Sequence, residues 1–154
     1  MPKAIISDTS CFIILANIGE LELLQKVYGK VITTIEVVTE FGEPLPEWVL
    51  IEGAKDKERQ QFLEMQVDKG EASAIALALE FPKSTIILDD LKARKVAESL
   101  KLQITGTVGV IVKAKKIGLI PSVKPYLDKL RKSDFRLSDA IAMAALREAN
   151  EKIW

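Results

Sequence analysis

The sequence predicts an α/β fold: a three-layer α/β/α sandwich around a mainly parallel sheet of four or five strands. Three observations carry this expectation. Short, apolar runs with β-branched residues recur at Ala4-Ile5-Ile6, Val31-Ile32-Thr33 and Ile86-Ile87-Leu88, as strands buried on both faces do. Segments of helical periodicity separate these runs, the alternation expected of parallel strands joined by crossover helices. Acids close the runs, Asp8 after the first and Asp89-Asp90 after the third, at the edge where open α/β sheets bind ligands.

The elements follow in order. A first strand is expected at 3–7, and Asp8-Thr9-Ser10 then opens a helix through Asn17, with Thr9 or Ser10 as its cap. Gly19 breaks the chain before a second helix at 20–28, where Leu21, Leu24 and Tyr28 keep helical spacing and Gly29 ends the run. Val31-Ile32-Thr33 is the second strand; Thr34 caps a helix over 35–42 that stops near Gly42 and Pro44. Trp48 to Ile51 makes a short strand, and 55–67 a polar helix with Phe62, Met65 and Gln66 as its buried stripe. The alanine-rich run Gly70 to Leu79 is a helix able to pack closely on a sheet. Strands at 85–88 and 102–105 enclose a helix at 91–100. Gly106-Thr107 starts a helix that stops at Gly118, and two more fit 123–132 and 138–150, the last capped by Ser138. No linker, repeat or low-complexity stretch interrupts the pattern, so residues 1–154 are expected to form one domain.

Composition excludes several chemistries. The chain is 48% apolar, enough for a core and too much for a disordered segment. Cys11 is its single cysteine, which rules out a disulfide framework or a thiolate zinc site within one chain and suggests a reducing compartment. There is no histidine, so Ser-His-Asp and Cys-His hydrolases and imidazole-based zinc sites are excluded. Any hydrolysis must use carboxylates, a metal-activated water, or both. Met1-Pro2-Lys3-Ala4 leads directly into a strand without the apolar core of a signal peptide, and no apolar stretch approaches bilayer-spanning length. A cytoplasmic location and no membrane association are expected.

The zero net charge hides an asymmetry: residues 1–90 carry −8, 91–136 carry +9 and the remainder −1. An acidic half followed by a basic segment suits a metal site beside a surface for a polyanion, although Lys-rich solvated helix faces give the same count. Lys113, Lys115, Lys116, Lys124, Lys129, Arg131, Lys132 and Arg136 are the candidate backbone contacts. Phe135, Trp48 and Trp154 are candidates for base stacking, with core packing the ordinary alternative.

Five carboxylates fall where the chain turns: Asp8, Glu40, Glu71, Asp89 and Asp90. Brought together they repel one another unless a cation lies between them, and oxygen-only clusters select Mg²⁺ or Mn²⁺. Each has an ordinary reading as well. Asp8 and the Asp89-Asp90 pair suit helix caps or turns, Glu71 a helix start, and Glu40 an exposed surface, although the helix dipole disfavours an acid that late in its helix. Arg94, one turn after Asp90, suits a phosphate, an acid of the cluster or a structural ion pair; Thr107 suits an N-cap, and Cys11 a small core residue.

Taken in series, Ile6-Ser7-Asp8-Thr9-Ser10, Thr34 to Glu40, Gly70-Glu71-Ala72 with Ile75-Ala76-Leu77-Ala78, Leu88-Asp89-Asp90 with Arg94, and Thr105-Gly106-Thr107-Val108-Gly109 resemble the PIN domain family, the fold of VapC-type toxins and related prokaryotic nucleases. The pattern is closest to a subgroup described as predicted nucleic-acid-binding PIN proteins. The resemblance implies a Mg²⁺- or Mn²⁺-dependent ribonuclease that leaves a 5′-phosphate and a 3′-hydroxyl. It implies Asp8, Glu71 and the Asp89-Asp90 pair as metal ligands, Glu40 as a further catalytic acid, and Thr9, Ser10, Thr107 and Arg94 as residues lining the site. It also implies a toxin role, a small antitoxin protein as partner, and a homodimer to which Phe12, Ile13, Leu15 and Leu21 contribute where exposed. The alternative is a PIN-like module that binds RNA or protein without cutting. A receiver-like domain is disfavoured because its paired acids follow the first strand, and a dinucleotide-binding domain because no G-x-G-x-x-G does.

Overall fold

A computed structural model describes residues 3–152. Its strands are β1 (Ala4–Ser7), β2 (Val31–Thr33), β3 (Val49–Ile51), β4 (Ser84–Ile87) and β5 (Gln103–Thr105). They form one all-parallel sheet in the order β3-β2-β1-β4-β5. The helices are α1 (Thr9–Asn17), α2 (Leu23–Tyr28), α3 (Ile35–Phe41), α4 (Lys57–Leu63), α5 (Lys69–Ala78), α6 (Leu91–Ser99), α7 (Thr107–Lys116), α8 (Lys124–Lys132) and α9 (Asp139–Glu148). The architecture is the expected α/β/α sandwich, with five strands.

Strand periodicity assigns the layers. Successive side chains leave opposite faces of a strand, so Ile5 and Ile87 pack with Cys11, Phe12 and Leu15 of α1, while Ile6 and Ile86 pack with Ala72, Ile75 and Ala76 of α5 and Ala93 of α6. The alanines of α5 let its backbone lie close to the sheet, and Gly70 through Ala78 are all buried. A third cluster joins α7, α8 and α9 through Ile111, Leu127, Leu130 and Leu146. Among the described residues no helix is long and apolar enough to cross a membrane.

The structure departs from the sequence reading at several places. The second helix starts at Leu23 rather than 20. Phe62 and Met65 are 63% and 80% exposed and Gln66 is exposed too. The buried residues are Gln60, Leu63 and, past the end of α4, Val67, of which Leu63 and Val67 pack with residues of α5, while Phe62, Met65 and Gln66 lie on the solvent side. Neither Thr9 nor Ser10 caps α1; both lie inside its first turn because the helix begins directly after Asp8. Phe12 and Leu15 are fully buried and so are withdrawn from any dimer surface, while Ile13 is exposed and Leu21 half-buried. Trp48 and Phe135 are half-buried against core clusters, and Trp154 lies outside the described residues.

Candidate metal centre

The sheet order reverses direction between β1 and β4. The chain builds β2 and β3 to one side of β1, then returns to place β4 and β5 on the other. Crevices at the C-terminal ends of the strands flanking such a reversal are where open α/β sheets hold ligands. Asp8 directly follows β1, and its backbone N–H donates to the Ile87 carbonyl at the end of β4 (3.2 Å). The two strand ends thereby meet.

Three carboxylates converge there. Oxygens of Asp8, Glu40 on α3 and Asp68 before α5 all lie within 4.8 Å of one another. Asp8 is buried, only 4% exposed, whereas Glu40 and Asp68 face solvent. A hydrogen bond between side chains joins α3 to α5, and local bonds fix the side chain at each of its ends. Thr34, the N-cap of α3, accepts from Val37 N and bonds the Ser73 hydroxyl at 2.7 Å; Ser73 Oγ in turn donates to the Gly70 carbonyl at 2.7 Å. Gly70 makes room for the close approach of these side chains. A Cβ there would lie 3.1 Å from Glu40 Oε1, 3.3 Å from Thr9 Oγ1 and 3.4 Å from Asp8 Oδ1. Asp8 Oδ1 and Thr9 Oγ1 are themselves buried without a hydrogen-bond partner.

Asp68 is the member that sequence reasoning missed. Its signal was present: an acid three residues before Glu71 at the head of an apolar helix is a capping-box pattern, but the helix was read from Gly70. Asp68 Oδ1 accepts from Glu71 N at 2.7 Å, and Glu71 Oε1 accepts from Asp68 N at 3.2 Å. Glu71 thus does the ordinary work of a helix start, yet remains within the electrostatic reach of Asp68, Asp90 and Glu40.

The remaining acids take different tasks. Asp89 is held by three donors: Thr107 N (2.8 Å) and Ser10 Oγ (3.2 Å) to its two oxygens, and Thr107 Oγ1 (2.7 Å). It ties the start of α7 to α1. Asp90 is the N-cap of α6, accepting from Ala93 N at 2.9 Å. Thr107 is not an N-cap, since Gly106 occupies that position. Arg94 Nη1 donates to the Leu88 carbonyl (2.9 Å) and so braces the loop after β4.

Burial sets the electrostatics of the cluster. It raises Asp8 from its ordinary 3.8 to about 8; the Thr9 amide opposes the rise, and the charges of Glu71, Asp68 and Glu40 add to it. Glu71 rises from 4.5 to about 7, again through burial first, opposed by the Asp68 amide and increased by Asp68, Asp90 and Glu40. Cys11 is fully buried, and burial pushes its thiol up as well, so it is a core residue without nucleophilic character.

These features fit a small, hard cation. The donors are all oxygens, three carboxylates face one another, and two buried oxygens lack any protein partner. The basic candidates are less available. Lys115, Lys116, Lys129 and Arg131 pair with Glu151, Glu148, Glu20 and Asp139, and Lys113 lies over the Tyr28 ring.

Residues 4–151 match a family model described as a PIN domain. No curated protein and no solved structure matches the chain.

Proposed function

Because the chain belongs to the PIN domain family, whose function is of nuclease type, we propose that it is an endoribonuclease dependent on Mg²⁺ or Mn²⁺. The observation that carries this reading is the convergence of Asp8, Glu40 and Asp68 around two unpartnered buried oxygens at the reversal of the sheet. Asp8, Glu40 and Asp68 would hold the ion, with Glu71, Asp89 and Asp90 around it. When bound, the ion supplies charge neutralisation for a phosphodiester and activation of a water.

The protein groups do the rest. Glu71, within electrostatic reach of Asp68, Asp90 and Glu40, is the carboxylate placed beside the ion's ligands to take a proton from an attacking water. Asp89, fixed by Thr107 and Ser10, keeps the floor of the cleft rigid, and Arg94 holds the carbonyl just before it. Hydrolysis in this arrangement leaves a 5′-phosphate and a 3′-hydroxyl, as the family resemblance implies. By the same resemblance the protein is the toxin of a prokaryotic toxin–antitoxin pair, cytoplasmic and dimeric, restrained by a small antitoxin that covers the acidic cleft.

The test is cleavage of single-stranded RNA with Mg²⁺, with Mn²⁺ and with chelator, for the parent chain and for Asp8→Asn. Cleavage in either metal that disappears with chelator and falls at least ~100-fold in the variant supports the assignment, the scale of a lost electrostatic contribution to the transition state. Cleavage that survives chelation or the substitution refutes it.

A further inference from the structure

At the opposite edge of the sheet, before the strands begin, lies a cavity of about 510 Å³ lined by Lys3, Lys83, Lys101, Phe81, Pro82 and Gln103 among others, with no acid in its wall. The topology explains why three lysines meet there. β1, β4 and β5 are neighbours in the sheet, with Ala4 opposite Ser84 and Thr85 opposite Gln103. Continued backwards, this register sets Lys3 level with Lys83, and Lys83 level with Lys101. The three lysines lie just before the strands and are exposed, so their positive charges are gathered at one mouth of the sheet where solvent moderates their repulsion. Among the described residues none of the three has a carboxylate within ion-pair distance; Lys3 Nζ donates instead to the neutral Gln103 Oε1 at 2.6 Å.

Lys101 adds a second, independent observation. It follows the C-cap of α6 in the left-handed conformation, φ 64°, with Leu102 N bonded to the Ala97 carbonyl and Lys101 N to that of Glu98. The chain puts glycine at the corresponding turns after α1 and α7, Gly19 and Gly118, and asparagine, which tolerates the conformation better than lysine, at Asn150 (φ 58°) after α9. A lysine there costs stability that glycine would not, and strain of this kind is retained where the side chain is needed.

We infer that this cavity is an anion site for the phosphate of a nucleotide, either free or within an RNA strand, at the edge of the sheet remote from the carboxylate cluster. Lys3, Lys83 and Lys101 supply the charge, and Phe81 and Pro82 an apolar wall against which a base can lie.

The experiment titrates the full chain in chelator with ADP and, separately, with a short single-stranded RNA, because without cations the acidic cleft repels both. The variants are Lys83→Ala and Lys101→Gly. Lys101→Gly relieves the left-handed strain, so its melting temperature should equal or exceed the parent's, which separates loss of binding from loss of fold. ADP binding that weakens about tenfold in both variants and declines with salt supports the site and identifies free nucleotide as sufficient. RNA binding alone, weakened to the same degree and with a shallower salt dependence, supports it with a strand as the source. Absence of binding by both probes at millimolar concentration overturns the inference. So does binding that neither substitution weakens.

Discussion

Replacing Asp8 with Asn should stabilise the metal-free protein while abolishing its response to divalent ions. Asp8 is buried and lacks a partner for Oδ1, and its pKa rises from 3.8 to about 8. The folded state therefore retains this proton to a higher pH than the unfolded chain does. Between the two values the native state binds more protons, so stability falls as pH rises from about 4 to about 8. At ~1.36 kcal/mol for each pH unit of the interval, ionising Asp8 costs the fold on the order of 4 kcal/mol at neutral pH. Asn keeps the shape without the charge, but its amide needs acceptors, which offsets part of the gain at about 1–3 kcal/mol. A net gain of about 1–3 kcal/mol is expected at pH 7 and slightly more at pH 8, reversing below pH 4, where the parent carboxyl is protonated in both states and only the amide's penalty of about 1–3 kcal/mol remains. Urea unfolding in chelator across this pH range measures both curves. Mn²⁺ at ~100 times its dissociation constant should then add about 2.7 kcal/mol to the parent and nothing to the variant. The reasoning fails if Asp8→Asn is the less stable protein at pH 8, or if both curves keep the same slope.

Gly70→Ala brings a methyl group to 3.1 Å from Glu40 Oε1, closer than oxygen and carbon sit comfortably, so divalent-ion affinity measured by titration should fall while thermal stability stays within ~1 kcal/mol of the parent, helix preference favouring alanine. Asp68→Ala removes both a cap and a member of the cluster: calorimetry should show a loss of about 1 kcal/mol, and Mn²⁺ should no longer raise the melting temperature to the parent's extent. Thr107→Val deletes the hydroxyl bonded to Asp89 and should cost about 1–2 kcal/mol in chemical denaturation, with the α7 amide still in place.

The central strands were legible because each combines a short apolar run with a turn residue, and burial on both faces of a parallel sheet leaves little else for such a run to become. The edge strands β3 and β5, more exposed, were legible chiefly from their place in the alternation. Boundaries shifted where local and tertiary forces compete. The 55–67 segment has apolar residues on two faces, and the sequence alone does not say that Gln60 rather than Phe62 is buried. Asp8 was readable from its place at a strand's C-terminal end, whereas Glu40, late in its helix, entered the cluster only through the family resemblance. Asp68 was not readable, since a helix start misplaced by one residue hid its cap, and caps are where sequence periodicity is silent. Nor could the sequence separate Asp89 from Asp90. The difference lies in Thr107 and Ser10, which reach Asp89 from elements that are adjacent only after folding.

β1 sits in the middle of the sheet, with one neighbour made early in synthesis and the other made late. A nascent chain that has not yet emitted Ser84 can pair Ile6 with Ile32, but the other flank of β1 is bare and the Ile87 carbonyl that anchors Asp8 does not exist. The carboxylate-lined edge therefore takes its final shape only when the second half of the chain supplies β4, although Asp8, Glu40 and Asp68 all belong to the first half.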